Sequence, residues 1–180
     1  MIDISSTPII IIILLGSVGL GIPIIDAVKK EKGKRKNQLF SIITFATLVL
    51  AILIVIFRVI GGEPLPAMSF GKDVIADDMF GSFFAISLLI VSIMVSASSW
   101  NYMQGISNYS SYYSLILLST IGMILIAYST DFVMLFISWE LMSIPTYALA
   151  AFSKKDPISN EAAIKYFMFG ALSTSILVLG

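Results

Sequence analysis

The stretch FVMLFISWELMSIPTYALAAF, residues 132–152, decides the fold. It is long enough to cross a bilayer, which takes about 20 mostly apolar residues. Its one formal charge, Glu140, is the ninth residue of the run and therefore lies near its middle. A soluble core helix would rarely be apolar on every side and charged only at its centre. The composition around it agrees: 58% of the 180 residues are hydrophobic and 12% are charged, about half the usual share for a soluble domain. The expected fold class is all-α, a polytopic transmembrane helix bundle.

Working outward, six spans are expected: 8–28, 39–60, 79–99, 113–128, 132–152 and a sixth from 158 onward. The connections carry the turn and charge signals. Residues 29–38, KKEKGKRKNQ, hold six of the eleven Lys and Arg, and residues 61–73, GGEPLPAMSFGKD, are rich in Gly and Pro. Asp156 followed by Pro157 reads as an N-cap with proline in the first helical position. In the first run, Ser17 and Gly21 suggest a close-packing face.

The positive-inside rule places loop 29–38 in the cytoplasm. Alternation then places loop 153–157, with Lys154 and Lys155, on the same side and Lys72 outside. Asp3 precedes the first run and the basic cluster follows it, so this run is expected to be a retained helix with its N-terminus outside rather than a cleaved signal. Trp100, Tyr102, Tyr109, Tyr112 and Tyr113 gather at an inner loop, where an aromatic belt belongs. The expected location is the plasma membrane of a prokaryote, with the lipid bilayer as one partner.

The chain has no Cys and no His, which removes disulfides, thiolate and imidazole metal sites, iron–sulfur ligation and the commonest general base. A net charge of zero gives no bias toward nucleic acid, and no phosphate-binding glycine loop is present. No cofactor and no metal site is expected in this chain.

Glu140 is the leading candidate for chemistry. Charged side chains at mid-membrane depth cost about 2.5–3.5 kcal/mol on insertion scales, so a carboxylate there takes up a proton or pairs with a cation. Ser143 and Tyr147, at i+3 and i+7, share its face and form a candidate polar path. Pro145 leaves the Leu141 carbonyl without its helical partner and is expected to kink the helix there. Lys165 is the second candidate, two turns into the sixth span, with Glu161 four residues earlier. It is read either as an interfacial ion pair or as a cation coupled to Glu140. Arg58 is expected to snorkel, and Asp77, Asp78 and Asp131 to face helix N-termini.

The pieces YYSLILLSTIGMILIAYSTDFVMLFISWELMSIPTYALAAF from residue 112 and NEAAIKYFMFGALSTSILVLG from residue 160, with DDMFGSFFAISLLIVSIMVSA upstream, resemble the antiporter-like, proton-translocating membrane subunits of respiratory complex I. The resemblance is nearest to subunit N of NADH–quinone oxidoreductase and its archaeal counterpart in deazaflavin-dependent dehydrogenases. It implies that Glu140 pairs with a lysine on a seventh helix and that Lys165 tunes it. It implies too that NADH, flavin, iron–sulfur clusters and quinone are held by partner subunits, with other membrane subunits as neighbours. Family members continue into a longer fold of inverted repeats. The expectation is therefore a truncated antiporter-like fold: an N-terminal region over 1–112 and the incomplete start of the first repeat over 113–180, not catalytic alone. Two alternative readings stay open: a subunit of a multi-subunit cation/proton antiporter or membrane-bound hydrogenase, and a non-catalytic membrane scaffold.

Overall fold

The structure, a computed structural model, describes residues 7–28, 34–61, 74–103, 108–153 and 156–180, with backbone alone at 34–37 and 101. The basic 29–38 segment, the 61–73 connection and Lys154–Lys155 thus lie wholly or largely outside the described side chains. Six helices follow in order: α1 Thr7–Val28, α2 Lys34–Gly61, α3 Met79–Tyr102, α4 Tyr109–Tyr128, α5 Phe132–Ala150 and α6 Pro157–Leu179. All six are long and apolar enough to cross a membrane.

The helices obey the expected pattern, and all but α5, which ends at Ala150 instead of 152, outrun the apolar runs. α4 begins at Tyr109, four residues before the apolar stretch, because the polar residues of its first turn find partners inside the bundle. The Ser110 hydroxyl donates to Asp26 of α1 at 2.6 Å, and the Tyr112 and Ser99 hydroxyls share a 2.8 Å hydrogen bond. α2 likewise starts at Lys34, ahead of Leu39.

α4 is the centre of the molecule. It packs against α1, α2, α3 and α5, whereas α6 touches only α5 among the described elements. Lipid tails are as apolar as leucine, so packing and hydrogen bonds hold such helices together rather than burial of apolar surface. The buried stripes reflect this. α1 turns Ile11, Leu15, Gly19 and Ile22 inward, while α3 buries Ser82, Ala85, Leu89, Ser92, Ser96 and Ser99 at helical spacing. Small residues permit close contact: a Cβ at Gly19 would press on Leu117 at 3.3 Å, and the Ser114 hydroxyl donates to the Gly19 carbonyl. The close face of α1 is therefore Gly16 and Gly19. Gly21 has nothing within 4 Å and, with Ser17, borders a groove between α1 and α2.

One end of the bundle is tied by polar groups. The Asp77 carboxylate, 2% exposed, accepts from the Thr7 backbone N–H at 3.1 Å and faces the Arg58 guanidinium at 3.9 Å. Arg58 thus pairs inward instead of snorkelling. Asp78 caps α3 by accepting from the Gly81 N–H at 2.7 Å. Residues 74–76 strap the α4–α5 turn through Ala76 N–H to the Tyr128 carbonyl (2.9 Å) and Thr130 N–H to the Val74 carbonyl (3.0 Å).

Candidate intramembrane acid site

α5 is launched by Asp131, whose carboxylate accepts from the Val133 and Met134 N–H groups at 2.9 and 3.4 Å. This cap satisfies two of the four N–H groups that any helix start leaves open. Glu140 follows as the ninth of the nineteen residues of α5. At 1.5 Å per residue it stands about 12 Å from the start of the helix and about 15 Å from its end.

The position of Glu140 along the bundle is set by the contact of α5 with α4. A Cβ at Gly122 would fall closer than 3.0 Å to the backbone nitrogen and Cα of Met142, so the α4 and α5 backbones touch half a turn beyond the acid. Glu140 itself is half-buried. Its carboxylate makes no hydrogen bond or ion pair with any described residue. Asp26, Asp77, Asp78 and Asp131, by contrast, all accept from named donors.

The remaining candidates separate into two groups. Ser143 is buried, and its hydroxyl donates to the Trp139 carbonyl at 2.8 Å, one turn back. That leaves its oxygen lone pairs, but not its proton, for another group on this face. Pro145 is buried, and the Thr146 hydroxyl donates to the Ser143 carbonyl at 2.7 Å, so neither this hydroxyl nor that of Ser143 serves the Leu141 carbonyl that the proline frees. Tyr147 stacks edge-on against Tyr166 and Phe167 of α6, ring centres 5.0 and 5.6 Å apart, with its hydroxyl end set against Gly170.

Lys165 and Glu161 form the second group. Their side chains pair at 2.5 Å along α6, both 65% exposed. Lys165 therefore spends its charge on its own helix and forms no ion pair with Glu140. Among the described residues no three acidic side chains gather to hold a metal ion. Sequence reasoning missed Gly122 and Gly170, the two glycines that seat α5 between its neighbours. A glycine facing a bulky residue on the next helix is invisible until the helices are paired.

The comparisons with known proteins fit this arrangement. Residues 129–180 match the family described as the transmembrane domain of NADH:quinone oxidoreductase and the Mrp antiporter. The chain is 34% identical over 109 residues to F(420)H(2) dehydrogenase subunit N of Methanosarcina mazei, covering 61% of this chain and 22% of that protein. It is 33% identical over 169 residues to NADH-quinone oxidoreductase subunit N of Desulfitobacterium hafniense, covering 93% of this chain and 33% of the relative. The chain thus spans a third or less of these relatives. Its fold matches a chain of respiratory complex I from Thermus thermophilus with a TM-score of 0.72 at 22% identity, over 94% of this chain and 35% of that one. Fold and sequence relatives together make this a multi-pass membrane protein related to the N-terminal part of the antiporter-like subunits of complex I, the group that includes subunit N.

Proposed function

We propose that the chain acts as the N-terminal part of a membrane subunit of a redox-driven proton pump of the NADH–quinone oxidoreductase type. Residues 1–112 form its N-terminal region, and residues 113–180 begin its proton-translocating repeat. The observation that carries this reading is Glu140: a half-buried carboxylate at the midpoint of α5 with no partner among the described residues. An acid so placed binds a proton or awaits a cation from another helix. Either condition makes its charge responsive to charges moving nearby. Ser143 and Tyr147 extend polar character along α5 toward the end that carries Asp156, and Lys165 with Glu161 adjusts the field from α6.

The electron-transfer chemistry belongs to other subunits. NADH or a deazaflavin, flavin, iron–sulfur clusters and quinone are bound there, and this chain contributes no redox group. Moving one charge against 100 mV requires about 2.3 kcal/mol, which the redox reaction supplies. The proposed location is the plasma membrane, N-terminus outside, with loops 29–38 and 153–157 cytoplasmic, as their Lys and Arg content directs.

A second reading is favoured by the Mrp antiporter named in the family description: the same acid would serve cation/proton exchange without electron transfer. The test is Glu140→Gln in the assembled complex in inverted membrane vesicles. Electron transfer with proton pumping lost, in a complex of normal subunit composition, is the expected result. Normal pumping by the variant would overturn the assignment. Loss of the assembled complex with both Glu140→Gln and Glu140→Ala would point to a scaffold.

A further inference from the structure

The α2–α3–α4 seam is more polar than the lipid-facing surfaces of the same helices. It is organised in successive levels. At one level the Ser99 and Tyr112 hydroxyls share a 2.8 Å bond, Tyr113 bonds to Ser41, and the two tyrosine rings meet edge-on at 5.5 Å. Ser41 of α2 and Ser99 of α3 therefore stand at the same height. Deeper in the seam, the Thr120 hydroxyl donates to Ser92 at 3.0 Å, and the Thr47 hydroxyl donates to the Ile43 carbonyl at 2.7 Å.

Between these levels lie Thr44 and Ser96. Thr44 is three residues beyond Ser41 on α2, and Ser96 is three before Ser99 on α3. A run of three residues is nearly one helical turn in each helix, and the two helices run antiparallel, so Thr44 and Ser96 also share a height. Both are sealed from the surface, at 0% and 1% exposure, and neither hydroxyl has a partner among the described residues. The neighbouring hydroxyls of Ser92, Ser99 and Thr47 each bond to the carbonyl four residues back; these two do not. An unsatisfied buried hydroxyl costs about 1–3 kcal/mol, more than a packed membrane bundle readily tolerates twice at one level.

We propose that the α2–α3–α4 seam binds an internal water at the level of Thr44 and Ser96. The water accepts from one hydroxyl and donates to the other and to one of the Phe40 and Ser92 carbonyls one turn back, within the two to four partners such waters require. It sits between the level of the Ser99–Tyr112 pair and that of the Ser92–Thr120 pair.

Two measurements on the full chain in detergent or nanodiscs test this. A structure at a resolution that resolves waters should show density within hydrogen-bond distance of both Thr44 Oγ1 and Ser96 Oγ; a dry, packed contact there overturns the proposal. In thermal unfolding, Thr44→Val and Ser96→Ala should each lower the midpoint by about 2–4 °C. The double variant should fall no further than the worse single, since one bridging water serves both groups. Thr44→Ser, which keeps the hydroxyl, should match the parent. Strictly additive losses, or single variants that are neutral or more stable, would overturn the proposal.

Discussion

α4 and α5 are neighbours of nearly equal length and similar apolarity, yet 61% of the α4 span is buried and only 17% of α5, with α6 lower still at 11%. Through α4 the first four helices are stitched by hydroxyls, by the Arg58–Asp77 pair and by glycine contacts. α5 and α6 hold to the rest mainly through one face of α5. The contrast is one of packing within these six helices. The well-packed region carries buried polar groups that are nearly all satisfied. The sparsely packed region carries the acid that has no partner among the described residues.

The comparison can be broken most severely at the glycine where the two regions join. Gly122→Leu would drive a side chain into the Met142 backbone and should abolish a monodisperse folded species in size-exclusion chromatography. Gly21→Leu, which meets nothing within 4 Å, should leave the elution profile unchanged. Next in size is Asp77→Asn, which removes a buried charge serving Arg58 and the start of α1. A loss of about 1–3 kcal/mol is expected in chemical unfolding, confined to the well-packed region. Smaller again is Gly170→Ala, which crowds the Tyr147 hydroxyl. Its thermal midpoint should drop and be partly recovered by Tyr147→Phe, which removes the obstructing oxygen. The smallest effect belongs to Lys165→Gln. An exposed i,i+4 pair contributes under about 1 kcal/mol, so its unfolding midpoint should be close to that of the parent.

Helix number and type were readable because five of the six apolar runs are about 20 residues or longer, the 16-residue run 113–128 reaching that length only with the polar first turn of α4, and Asp156 before Pro157 marked the start of α6 correctly: its carboxylate accepts from the Ile158 N–H at 3.0 Å. Starts set by tertiary partners were not readable. Nothing in the polarity of Ser110 or Tyr112 says that Asp26 and Ser99 stand opposite to receive them. The midpoint location of Glu140 followed from counting residues alone. The inward turn of Arg58 did not, because it depends on Asp77, which arrives from across a connection of unknown course in sequence terms. Close-packing glycines posed the same difficulty: Ser17 and Gly21 had suitable spacing, whereas Gly16 and Gly19 had suitable neighbours.

The Gly122–Met142 contact also restricts how α5 can move. Two main chains in direct touch leave no layer of side chains to shear, so α5 cannot slide past α4 like a piston. It can only rock about that point as a lever on a fulcrum. Glu140 sits just on one side of the pivot and Pro145 just on the other, so a bend at the proline would redirect the last five residues of α5 while the acid stays almost still.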